Sequence, residues 1–165
     1  MLAGEGKIRR DFPMKTTRHV RLRREEQWPS PRLRGVRVLV VEDDADEREF
    51  LVALLGAAGA DVRSASSANE ALATLAWWQP GVLVSDIGLP GGDGYGLIKA
   101  VRRLPEAARV PAAAVTGQAA PEDRRRAMRA GFQAHLAKQV DPDRLLNVIA
   151  GLAGTAAPAA VEPSR

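Results

Sequence analysis

The chain has 165 residues, enough for one domain with a real core but not comfortably for two. It has no cysteine, which excludes disulfides, thiolate metal sites and thiol catalysis. No run of about 18 apolar residues occurs, so no membrane insertion is expected; the N-terminus lacks the apolar core of a signal peptide, and a cytoplasmic protein is the expectation.

The charge is unevenly placed. Residues 1–34 hold ten Lys and Arg against four Asp and Glu, whereas residues 35–165 hold fourteen against sixteen. The formal net charge of +4 therefore belongs to a basic leader, not to the remainder. No periodicity is sustained there, and Trp28-Pro29-Ser30-Pro31 breaks any helix. Residues 1–34 read as a disordered arm, the one segment that would suit nucleic acid or an acidic surface. Met14 offers an alternative start.

From Val36 an alternation of strands and helices sets in. Residues 36–41 form a short β-branched run typical of a strand buried on both faces. Asp44 or Asp46 caps the helix that follows, whose stripe is Phe50, Leu51, Leu54 and Leu55. Residues 61–65 make a weak second strand. Ser67 then caps a helix with Ala71, Leu72 and Leu75 on one face, ended by Pro80. Trp77 and Trp78 fall at its end, one packed and one exposed. The third strand is 82–86, and its loop leads to a helix carrying Leu97, Ile98 and Val101.

The fourth strand is 110–116, with Pro111 near its start. Pro121 opens a fourth helix bearing Arg124, Arg125, Arg126 and Arg129, a solvated or partner-binding face. Residues 134–138 form the fifth strand, and Asp141-Pro142 opens a last helix. A domain over 35–153 and a disordered tail over 154–165 follow. Five strands alternating with five helices imply an α/β fold, an open doubly wound parallel sheet with helices on both faces.

In such sheets ligands sit outside the carboxyl ends of the strands. Glu42 and Asp43 end the first strand, Asp86 the third, Thr116 the fourth and Lys138 the fifth. Carboxylates at one sheet edge repel unless a cation neutralises them, and oxygen ligands without His or Cys favour Mg²⁺. A lysine and a threonine hydroxyl suit phosphoryl oxygens. The set reads as metal-assisted phosphoryl transfer with a carboxylate as nucleophile. The glycines at 91, 92, 94 and 96 do not fit GxGxxG and read as a turn.

Over about residues 36–153 the chain resembles the receiver domain of two-component response regulators. The resemblance rests on VLVVEDD at 38–44, LVSDIGLPGGDGYGL at 83–97, AVTG at 114–117 and HLAKQVDP at 135–142. The wording around Asp86 is most similar to receivers of hybrid histidine kinases. The resemblance implies a flavodoxin-like receiver fold with strand order 2-1-3-4-5. It implies Asp86 as the phosphoacceptor, with Glu42, Asp43, Asp86 and the Gly88 carbonyl holding Mg²⁺. Thr116 and Lys138 would bind phosphoryl oxygens, and Thr116 with His135 would form the switch. The donor would be a histidine kinase or phosphotransfer protein, and the output an unidentified protein contact; the domain would accept phosphate rather than turn over a substrate.

Three positions depart from the family pattern. Gln139 stands where a proline in a cis peptide is usual; a cis bond before Gln would cost about 2.5–4 kcal/mol, which favours trans. Gly88 lacks a side chain where one commonly influences dephosphorylation. His135 replaces the usual switch Tyr or Phe and adds a titratable ring. Two other readings stay open: a Mg²⁺-dependent phosphatase, which would want an aspartate at position 88, and a degenerate receiver acting without phosphorylation. No output domain is visible in the sequence, whether the chain is a stand-alone receiver or one detached from a hybrid kinase.

Overall fold

The computed structural model describes residues 32–156 apart from 92, 118 and 119, with the side chains at 155 and 156 also outside the described set. The expected leader up to residue 31, Met14 and the tail from 157 lie outside it. The described chain alternates strand and helix five times: β1 Arg37–Val41, α1 Ala45–Ala57, β2 Asp61–Ala65, α2 Ala68–Leu75, β3 Val82–Asp86, α3 Gly94–Arg103, β4 Ala112–Thr116, α4 Pro121–Ala130, β5 Ala134–Ala137 and α5 Pro142–Ala156. The strands form one sheet in the order β2-β1-β3-β4-β5, every pair parallel. Fold class and strand order are those expected from the sequence.

Alternation along each strand splits the core. Val38 and Val40 of β1 pack with Leu51 and Leu55 of α1 and with Leu145, Leu146 and Ile149 of α5. Leu39 and Val41 pack on the opposite face with residues of α2, α3 and α4. Both faces of the central strands are therefore covered, as a crossover-linked parallel sheet requires. β1 sits between β2 and β3, so the first and third strands deliver their last residues side by side.

Local chemistry sets the element ends. Asp44 accepts from the Glu47 amide and Ser67 from the Glu70 amide, each satisfying a donor that the helix leaves free. Strand β4 opens at Ala112, two residues after the expected start, because Pro111 has no N–H for the ladder; its carbonyl still accepts from the Leu83 amide. Helix α2 ends at Leu75, ahead of Pro80. The Trp77 and Trp78 amides both turn back to the Thr74 carbonyl, which brings Trp78 into the core and leaves Trp77 64% exposed.

Phe50 departs from the expected stripe. Leu51 and Leu55 face the sheet, whereas Phe50 is 56% exposed and lines a groove with Leu54, Val140 and Leu145. At both ends the described packing runs past residues 35 and 153. Leu33 is fully buried and its amide donates to the Ala58 carbonyl, while Arg32 binds Asp143 and Asn147 of α5. Helix α5 continues to Ala156, past the expected boundary at 153, because the first helix breaker in the sequence after it is Pro158. The peptide after Lys138 is trans, there being no cis bond among the described residues.

Arg102 of α3 fastens the far side of the sheet. Its Nε and Nη2 donate to the Gly131 carbonyl at 3.0 and 2.7 Å, and its Nη1 to the carbonyls of Ala108 and Val110. Gly131 stands at φ 124°, a left-handed cap ending α4, and a Cβ there would meet Arg102 Cγ at 3.1 Å. Replacing Arg102 with Met, which keeps the stem and removes the donors, should destabilise the fold by about 2–3 kcal/mol. Urea unfolding at constant m-value checks this; a change below about 0.5 kcal/mol would mean that water replaces those bonds without loss.

Candidate functional site

The parallel register brings four strand ends together. Val41 pairs with Ser85, Asp86 with Val115, and Thr116 with Ala137. Glu42 follows Val41 directly, and the Lys138 amide, one residue past β5, donates to the Thr116 carbonyl at 2.8 Å. Glu42, Asp86, Thr116 and Lys138 thus reach one edge because of strand pairing alone.

Lys138 is the centre of the cluster. Its Nζ lies 3.1 Å from Glu42 Oε2 and 3.2 Å from Asp86 Oδ2, and it also binds the Glu47 carboxylate. Burial works against the lysine's charge, but the bonds from Glu47, Glu42 and Asp86 outweigh it and hold its pKa above the ordinary value. Glu42 is 1% exposed. Burial pushes its carboxyl up to about 7, against the lowering pull of Lys138 and of the Asp44 amide, which donates to Oε1. Asp86 is also buried, and its Oδ1 accepts from the Gly88 amide at 3.0 Å.

Three further residues hold this edge in shape. Arg48, one turn into α1, folds back and donates to the carbonyls of Glu42 and Asp43. Glu47 anchors Lys138 from the same turn. Gly94 opens α3 and gives its amide to the Ile87 carbonyl at 2.7 Å; a Cβ there would lie 2.3 Å from the Asp86 carbonyl oxygen. The absence of a side chain at 94 lets α3 start against the end of β3. The sequence analysis singles out neither Glu47 nor Arg48 and reads Gly94 as a turn residue, since only the tertiary fold brings them to the site.

A divalent cation fits here. Carboxylate oxygens of Glu42, Asp43 and Asp86 all lie within 4.8 Å of one another, near the roughly 4 Å between opposite oxygens around Mg²⁺. Asp43 is exposed and so leaves the site open to water ligands, which Mg²⁺ retains. The donor set is all oxygen, and a buried Glu42 has reason to ionise only beside positive charge.

Beside Asp86 a cleft of about 360 Å³, which Lys138 also borders, is lined by Gly88, Tyr95, Thr116, Asp123 and Arg126. The sequence singled out Gly88 and Thr116 of these, but neither Tyr95 nor Asp123. Arg126 was read as part of an arginine face and instead stacks on Tyr95, at 4.4 Å from the ring centroid. His135 does not line this cleft. It borders a separate hollow with Arg124, Leu136 and Gln139, its Nε2 buried without a hydrogen-bond partner. Burial lowers its pKa, assisted by Arg124 and opposed by Asp123.

A sequence model of the response regulator receiver domain matches residues 38–150. The chain belongs to the response regulator receiver family. An uncharacterised 14.6 kDa protein of Leptolyngbya boryana is 45% identical over 112 residues, 68% of this chain and 86% of that protein. The sensor histidine kinase RcsC of Salmonella typhi is 31% identical over 113 residues, covering 68% of this chain but 12% of the kinase. A putative response regulator from Chloroflexus aurantiacus superposes with a TM-score of 0.69 at 34% identity, over 72% of this chain and 98% of that one. The receiver domain is thus a phosphorelay module, of a kind that meets histidine kinases or phosphotransfer proteins. No helix among its described residues is long and apolar enough to cross a membrane.

Two outcomes follow from this geometry. Gly94→Ala should destabilise the receiver domain by about 3 kcal/mol, at the upper end for overpacking, because its nearest neighbours are backbone atoms that cannot rotate away. Denaturant unfolding would report it, and a near-neutral change would mean that α3 shifts freely. The second concerns pH. Glu42 is near 7 in the fold and near 4.5 when unperturbed, so without metal its contribution to stability is complete below about 4.5 and is lost as pH rises through 7. Mg²⁺ competes with that proton, so added Mg²⁺ should raise Tm more at about pH 8 than at about pH 5.5. A Tm gain that is the same at both would sink Glu42 as a ligand.

Proposed function

We propose that this receiver domain accepts a phosphoryl group on Asp86 from a partner's phosphohistidine, with Mg²⁺ held by Glu42, Asp43, Asp86 and the Gly88 carbonyl, and signals by protein contact. The observation that carries the reading is Lys138 Nζ at 3.2 Å from Asp86 Oδ2, inside a triad of carboxylates that needs a cation. A bound Mg²⁺ supplies charge neutralisation for the transferred phosphoryl oxygens. The residues of the chain do the positioning. An Asp86 oxygen attacks phosphorus, the P–N bond breaks, and the donor imidazole leaves with the electron pair. The product is an acyl phosphate, with Lys138 and the Thr116 hydroxyl as its oxygen partners.

The trans peptide after Lys138 does not displace this lysine from Asp86, which favours a working receiver over a degenerate one. The 14.6 kDa relative, matched over 86% of its length, supports a receiver that works without an attached output domain. A cytoplasmic setting suits the cysteine-free sequence. The domain takes up and loses phosphate but turns over no phosphate ester. Thr116 and His135 act as its switch pair.

Incubation with acetyl phosphate and Mg²⁺ should label the wild-type chain on an acid-stable, base-labile acyl phosphate. Asp86→Asn should reduce labelling to background, and no phosphate-ester hydrolysis should accompany it. Labelling of the variant at the wild-type rate would remove Asp86 from the role, and steady ester turnover would make the protein a phosphatase.

A further inference from the structure

Asp86 borders two environments. Toward α1 lie Glu42 and Asp43; toward α4 lies the cleft lined by Tyr95 and Arg126, and Lys138 borders both. Lys138 already serves Glu42, Glu47 and Asp86, so its charge is shared three ways before any phosphate arrives. An acyl phosphate replaces one negative charge on Asp86 with about two and adds acceptor oxygens. Among the described residues that line the cleft the cations are Lys138, already bonded to three carboxylates, and Arg126.

Arg126 is held but not engaged. Its guanidinium rests over Tyr95, and Tyr95 is itself packed in the core cluster with Leu97 and Ile98. Among the described residues it makes no ion pair within 4.0 Å. A stacked contact at an exposed site is weaker than a forked, charge-assisted bond to phosphoryl oxygens. Arg126 and Asp86 line the same cleft, and position 88 in that lining is glycine, which adds no side chain beside the Asp86 carboxylate.

We propose that Arg126 is a second phosphoryl-binding residue of this receiver domain, leaving the Tyr95 face to bind an oxygen of the phosphoryl group on Asp86 and drawing α4 toward the sheet edge. The proposal rests on Asp86 as the phosphoacceptor and deepens that reading. No bond forms or breaks in this step; Arg126 exchanges a ring for an anion. Its basic neighbour Arg125 does not line the cleft, which makes it a charge-matched control on the same helix.

The test is titration of the full chain with beryllium fluoride in saturating Mg²⁺, a non-covalent phosphoryl mimic, followed by amide NMR shifts of α4 and beside Asp86. Arg126→Ala should weaken binding about tenfold, the loss of one charge-assisted bond. Mg²⁺ affinity without fluoride should stay unchanged, the α4 shifts should disappear, and Arg126→Lys should recover part of the affinity. Arg125→Ala should match the wild type. Equal binding by wild type and Arg126→Ala overturns the proposal and leaves Asp86 in its role, as does an equal loss in Arg125→Ala. A wild-type chain that neither binds the mimic nor labels with acetyl phosphate overturns both readings.

Discussion

The shape of the site depends on one electrostatic constraint: Glu42 and Asp86 are buried carboxylates, and Lys138 is the cation placed between them. Each pair, at just over 3 Å, attracts by roughly 5 kcal/mol at an effective dielectric near 20. Desolvating the three groups costs several kcal/mol apiece, so the cluster is no net source of stability. Its consequence is positional. Lys138 cannot leave without stranding two carboxylates, and burial raises the Glu42 carboxyl to about 7 against the pull of Lys138. An edge that is short of positive charge is one built to receive it.

Parallel pairing lets the fold impose this arrangement cheaply. Each β-strand runs in the same direction, so each deposits its last residues at the same edge, and the helices return the chain to the other end. The remaining precision comes from backbone contacts. Arg48 ties the carbonyls of Glu42 and Asp43, and the bare Gly94 admits α3 against Asp86. These residues do no chemistry, yet the distances around Lys138 rest on them.

The strand ends were legible in the sequence because they follow from hydrophobic period alone. Runs ending at Val41, Asp86, Thr116 and near Lys138 needed no knowledge of side-chain rotamers, and the parallel topology then collected them. What escaped was conformational. Glu47 and Arg48 sit in a run of charged residues of the kind any surface helix carries, and their bonds to Lys138 and to the Glu42 and Asp43 carbonyls are set by tertiary placement. Phe50 fitted an apolar stripe by spacing, but only two turns of that stripe meet the sheet. Leu33 escaped for another reason: the surrounding arginines set the leader boundary, and one apolar residue among them carries no period.

Asp86 is thus served by two regions of different character. Toward α1 the buried Glu42 is bonded to Lys138, which Glu47 also holds, and the Glu42 backbone is tied by Arg48. Toward α4 the cleft is walled by the buried Tyr95 ring and by Arg126, which has no ion pair within 4.0 Å among the described residues. A change of charge on Asp86 meets a stiff response on the first side, since Lys138, Glu42 and Glu47 constrain one another. The second side offers the compliant response, since the exposed Arg126 guanidinium would exchange the Tyr95 ring for an anion without breaking a buried bond. Because Arg126 rides on α4, and α4 adjoins β5 and the hollow that holds His135, a shift of α4 toward Asp86 would carry to the outer surface there.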